Sequence, residues 1–114
     1  MKHSEEQIIE IAKNVIEDIE WPYDTSKEIR IGFTSIDEQL EKWKDLKGFE
    51  QIKDKIFAYW NVIFDFPEDE HWEERNVYYV EIRDEDGIPY KVGHRQAKFK
   101  VEKDQNNKFY KSKY

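Results

Sequence analysis

Ile56-Phe-Ala-Tyr-Trp-Asn-Val-Ile-Phe-Asp-Phe66 is aromatic and β-branched along its whole length and stops at Pro67. That composition belongs to a β-strand rather than a helix. Alternation puts Ile56, Ala58, Trp60, Val62, Phe64 and Phe66 on one face and Phe57, Tyr59 and Ile63 on the other. Both faces are apolar, so the strand is expected to lie centrally, covered on both sides, or to form part of a subunit contact.

The reading extends downstream as a meander. Asn76–Asp84 alternates as a second strand, and Asp84-Glu-Asp-Gly87 is a hairpin turn with glycine where a positive φ is needed. Tyr90–Val101 reads as one long strand and Asp104-Gln-Asn-Asn107 as a further turn. Lys108–Lys113 closes the sheet as an edge strand whose lysines discourage pairing with other chains. Upstream, Lys27–Phe33 alternates weakly as a short strand. Ser35-x-x-Glu38 caps a helix over about 36–47, with Ile36, Leu40, Trp43 and Lys47 in one stripe and Leu46 beside it. Gly48 is placed to end that helix, with Phe49 folding back. Residues 50–55 suit either another helical turn or the approach to the strand. Ser4-x-x-Gln7 caps a first helix over about 5–20, whose apolar stripe is Ile8, Ala12, Val15 and Ile19. Trp21, preceding Pro22, ends it.

The expected fold is α+β: two helices packed on one face of a curled antiparallel sheet of four to five strands, in the order αβαββββ. The 114 residues form a single domain without repeats or linkers. In element order alone this resembles cystatin-like and NTF2-like folds. No motif of either family is present, and NTF2-like chains carry an additional N-terminal helix.

Composition narrows the chemistry. Charged residues are 39% of the chain and mean hydropathy is −1.03, yet aromatics reach 16%, more bulky apolar surface than a disordered chain carries. No cysteine is present, which excludes disulfides, thiolate metal sites and thiol catalysis. The N-terminus lacks the apolar core of a signal peptide, and no apolar run approaches the roughly 20 residues of a membrane span, so the expected location is the cytoplasm with no membrane partner. Charge is uneven: residues 91–114 hold eight basic side chains against two acidic, a net of +6, so the first 90 carry −13 to give the overall −7. An acidic body repels nucleic-acid backbones and attracts basic partners. Basic and aromatic residues do interleave at Lys98-Phe99-Lys100 and Lys108-Phe109-Tyr110-Lys111, the pattern of a single-strand stacking surface, but the acidic whole argues against nucleic acid.

The loop Asp65-Phe-Pro-Glu-Asp-Glu-His-Trp-Glu-Glu74 holds six carboxylates and one histidine. It lacks the D-x-[DN]-x-[DN]-G pattern and the glycine of a calcium loop, so no metal is expected. Carboxylates around Trp72 instead suit contact with a basic protein, the indole acting as anchor. Gly-x-Ser-x-Gly and glycine-rich phosphate loops are absent, and no cofactor is expected. Asp65 and His94 are weak candidates for acid/base roles, against the plainer reading that one begins a turn and the other is half-exposed. His3 is expected in a mobile terminus.

The leading expectation is therefore a non-enzymatic protein that binds and masks a basic protein partner. In charge and size it resembles small acidic inhibitors such as bacterial immunity proteins. The expected partner-binding residues are Glu68, Asp69, Glu70, Trp72, Glu73 and Glu74. One alternative is a small-ligand binder or acid/base enzyme of NTF2-like type, its pocket between helix and sheet lined by Trp43, Trp60, Tyr79, Asp65 and His94. Another is a structural homodimer built on the Ile56–Phe66 strand or the outer sheet face.

Overall fold

A computed structural model of the chain describes residues 2–67, 77–94 and 97–113. Helix α1 (Glu5–Asp18) leads into strand β1 (Arg30–Thr34), helices α2 (Ile36–Trp43) and α3 (Phe49–Ile52), and strands β2 (Tyr59–Asp65), β3 (Val77–Arg83), β4 (Pro89–His94), β5 (Ala97–Lys103) and β6 (Phe109–Ser112). The strands form one antiparallel sheet in sequential order from β1 to β6. The fold is thus α+β with an antiparallel meander.

Each end of α1 is closed by local chemistry. Ser4 and Gln7 form a reciprocal capping box: the Gln7 N–H donates to Ser4 Oγ (3.2 Å) and the Ser4 N–H to Gln7 Oε1 (2.9 Å). The helix ends two residues earlier than expected. Glu20 takes a left-handed φ of 63°, its N–H donates to Glu17 O, and the Trp21 N–H reaches back to Ile16 O. This is a Schellman ending with glutamate in the position usually held by glycine. It swings Trp21 onto the sheet.

The core lies between α1 and one face of the sheet. Ile8, Ala12, Val15 and Ile16 are fully buried on α1. Facing them, Ile31, Val62, Val80, Val92 and Phe99 are successive cross-strand partners over five strands. Burying one such aliphatic side chain is worth roughly 1.5–3 kcal/mol, so this layer dominates the stability. On the opposite face Arg30, Ile63, Tyr79, Gly93 and Lys98 form the corresponding row. Gly93 lies under the Tyr79 ring: a Cβ there would stand 2.5 Å from the phenolic oxygen and 2.8 Å from the Ala97 carbonyl oxygen. Only glycine lets the ring lie flat on the strand.

Three details differ from the sequence reading. The sheet has six strands, not four to five, because Tyr90–Val101 is two strands. β4 ends at His94 and β5 begins at Ala97, paired back with His94↔Ala97 in register. The intervening Arg95 and Gln96 carry none of the usual turn signals and lie outside the described residues. The predicted helix over 36–47 stops at Trp43 and a one-turn third helix follows, so the order is αβααβββββ. Gly48 does adopt a positive φ (87°), but as the N-cap of α3 rather than the terminus of α2. All helical residues of the core come from α1; none from α2 or α3 belongs to it or packs against it. Finally, His3 is docked, its Nδ1 2.8 Å from the Asp84 carbonyl oxygen.

Candidate functional site

Between α1 and the β3–β4 and β5–β6 hairpins lies an open groove of about 830 Å³, within the range of ordinary ligand sites. Ile11, Ile88, Pro89, Val101 and Phe109 supply its apolar part. Asp18, Asp86 and Glu102 contribute three carboxylates against one cation, Lys103, with Asn14 and Asn107 between them. Ile88 is half exposed at 50%, an apolar side chain left at the rim.

The polar groups are held by specific partners. Asp18 stands in the last turn of α1, where a negative charge opposes the helix dipole. Its Oδ2 accepts the Phe109 N–H at 3.0 Å, tying the helix end to the edge strand. Asp86 pairs with Arg83, whose guanidinium holds the carboxyl below its ordinary range against a small opposing effect of burial. Lys103 Nζ sits 5.0 Å from the centre of the Phe109 ring. Glu102, opposite Tyr110 across the strands, raises that phenol above its usual pKa.

Beside the groove, the β3–β4 turn is anchored by a buried carboxylate. Asp84 is only 5% exposed. It accepts from the Trp60 indole Nε1 at 2.9 Å and from the Lys2 N–H at 3.1 and 2.9 Å, while its own N–H donates to the Ala58 carbonyl at 3.0 Å. Burial works to raise its pKa, and is outweighed by the hydrogen bonds from Trp60 and Lys2 and the nearby His3, so the net shift is downward. The sequence offered no sign of this beyond an aspartate in a turn; its partners are up to 82 residues away.

At the opposite end of the sheet, on the α1 face, aromatic rings collect. Trp21 stacks on Tyr78 (centroids 4.8 Å apart), Phe66 lies 4.1 Å from Tyr78, and both face His94, at 5.5 and 6.4 Å. Lys111 Nζ stands over Trp21 and Phe99, at 4.9 and 5.0 Å. In the sequence, Phe66 and Tyr78 flank the acidic segment. Glu68, Asp69, Glu70, Trp72, Glu73 and Glu74 themselves lie outside the described residues.

The five residues named for a small-ligand pocket are not brought together. Trp60 and His94 point to the α1 face, one bound to Asp84 and the other among the rings. Tyr79 and Asp65 lie on the other face, by register with Ile63 and with Arg30. Asp65 is buried, and its Oδ1 accepts from Arg30 Nη2 at 3.3 Å. Trp43 is the last residue of α2, half-buried and outside the core cluster. A groove between helix and sheet does exist, but other residues line it. On β5 and β6, Phe99 and Phe109 pack against the core with Lys103 and Lys111 over their rings, while Lys98, Lys100 and Tyr110 fall on the other face. Among the described residues no three His, Asp or Glu side chains are grouped to hold a metal ion, and no helix is long and apolar enough to cross a membrane.

Compared with family models, with curated proteins and with solved structures, the chain matches none.

Proposed function

We propose that this chain is a non-enzymatic binding protein that holds a basic, partly apolar segment of a protein partner in the groove beside α1 and so masks it. The observation that carries this reading is the groove's make-up: an apolar floor with carboxylates in excess of cations. The flank of α1 extends the same sign of charge, with six carboxylates against two lysines between Lys2 and Glu20. An apolar side chain of the partner would displace water from Val101 and Phe109. Its lysine or arginine neighbours would meet Asp18, Asp86 and Glu102, giving fast, salt-sensitive association. The acidic segment Glu68–Glu74, with Trp72 as anchor, is a second contact in this proposal.

Two exposed groove positions permit a clean test. Asn14→Lys and Glu102→Lys reverse the local field without touching a buried side chain. Affinity capture from the host lysate, at low and high salt, should recover a basic protein with the wild-type chain and lose it with the double variant. Identical captured sets for the two proteins would refute the groove as the contact. Glu73→Lys with Glu74→Lys, run in parallel, tests the acidic segment separately.

A further inference from the structure

The two edges of the sheet are not alike. In antiparallel strands the residues of each strand bond alternately to one neighbour and to the other. The Asp84 N–H donates to the Ala58 carbonyl, one step beyond the Tyr59↔Arg83 pair, so even-numbered residues of β2 bond to β3. The Asp24 N–H donates to the Asp65 carbonyl, in agreement: odd-numbered residues of β2 turn the other way, toward β1. Arg30, Gly32 and Thr34, opposite Ile63, Asn61 and Tyr59, are therefore the bonded residues of β1. The N–H and C=O groups of Ile31 and Phe33 point out of the sheet, and among the described residues no hydrogen bond reaches them.

At the opposite edge the same alternation, fixed by the Asp104 N–H on the Lys108 carbonyl, turns Phe109 and Lys111 outward. That edge is closed: Asp18 accepts the Phe109 N–H, and Lys108, Lys111 and Lys113 line the strand. β1 has none of these devices, with no lysine, no proline and no register shift against β2. Its one charge, Arg30, is met by the buried Asp65. Gly32 is exposed, and a Cβ there would meet nothing within 4 Å.

We propose that β1 is a docking edge on which a partner protein lays an extended, basic-flanked segment as a further strand, antiparallel to β1. The site is separate from the groove and does not depend on it. Unpaired N–H and C=O groups in a row call for another strand. Ile31 and Phe33 pack against the core on the α1 face, so apolar residues opposite them would carry that layer one strand further. Charge selects the occupant. Asp24 and Glu28 stand against Lys27 before the strand. After it come Asp37, Glu38, Glu41 and Asp45 against Lys42, Lys44 and Lys47. Each end of the edge thus keeps an acidic excess. A second copy would bring acidic ends together, whereas lysine or arginine outside an apolar centre meets them with opposite charge.

Amide hydrogen exchange read residue by residue by NMR tests this. The probe is a synthetic peptide of alternating valine and threonine between two lysines at each end. In the free chain Ile31 and Phe33 should exchange rapidly while Arg30, Gly32 and Thr34 are protected by β2. Adding the peptide should slow Ile31 and Phe33. In antiparallel pairing the valines opposite them use their own N–H groups, so a peptide N-methylated at its valines should give no protection. Nor should one with glutamates in place of the lysines. Ile31→Pro removes an outward N–H and no bond to β2, and should lose the peptide while circular dichroism stays unchanged. Slow exchange at Ile31 and Phe33 in the dilute free chain overturns the proposal. So does an absence of protection with the peptide, protection by either altered peptide, or a folded proline variant that still binds. Protection that rises with protein concentration alone would give the edge to a second copy, and peptide effects confined to Val101 and Phe109 would place it in the groove; either result refutes the docking edge.

Discussion

Replacing Asp84 should expose how much of the stability rests on one buried carboxylate. In Asp84→Asn the remaining oxygen can still accept from Trp60 Nε1, but the new amide would confront the Lys2 N–H, donor against donor. Hydrogen bonds to a charged acceptor contribute roughly 1.5–3 kcal/mol and neutral ones roughly 0.5–1.5, so losing the charge and one bond should cost about 2 kcal/mol. Asp84→Ala also strands the indole N–H of Trp60, which is 2% exposed, and should cost about 3 kcal/mol. Urea unfolding should show the lower midpoint with an unchanged slope. Because the folded pKa of Asp84 lies below its ordinary value, its contribution is fully present above the unfolded pKa and is lost as pH falls through the folded one. The gap between wild type and Asp84→Asn should therefore be constant near neutrality and close as pH falls through and below the ordinary carboxylate range. A variant as stable as wild type, or a gap that widens on acidification, would refute the assignment of Asp84 as a paired carboxylate.

Two further substitutions test the packing. Gly93→Ala forces a methyl group against Tyr79 and the Ala97 carbonyl and should destabilise by about 1–3 kcal/mol, read as a lower melting temperature. Pairing it with Tyr79→Ala should recover part of that loss, since the ring can yield and the carbonyl cannot. Glu20→Gly should stabilise by about 1 kcal/mol, because the left-handed φ of 63° strains a residue with a side chain; an unchanged or lower unfolding midpoint would contradict the Schellman ending.

Much of the fold can be read in the chain because its causes are local. The stripe Ile8, Ala12, Val15 marks the buried face of α1, and the Ser4–Gln7 box marks its start, both within one or two helical turns. The apolar run Tyr59–Asp65 is a strand, and Asp84–Gly87 is a turn with glycine at φ 70°. The split between β4 and β5 could not be read, because Arg95 and Gln96 have no conformational preference that would announce a reversal. α2 misled in another way: its periodicity predicts a buried stripe, but the one buried residue is Gln39, bonded to the Phe57 carbonyl, while Leu40 and Trp43 are half-buried and Ile36 is exposed. The candidate site was less legible still. Nothing near Asn14, Asp18, Ile88 and Phe109 in the sequence joins them, since they come from a helix and two separate hairpins.

Sequence alone therefore determined most of the secondary elements, the α+β class and the acidic character, all of which depend on side-chain chemistry and contacts a few residues apart. Tertiary structure decided the rest: that Asp84 meets Lys2, that Asp18 caps Phe109, that Gly93 makes room for Tyr79, and that the groove opens on one flank of α1. Those outcomes depend on strand register and on how the helix crosses the sheet. Such relations between distant segments exist only once the chain has closed on itself, because no local preference encodes which residues will face each other.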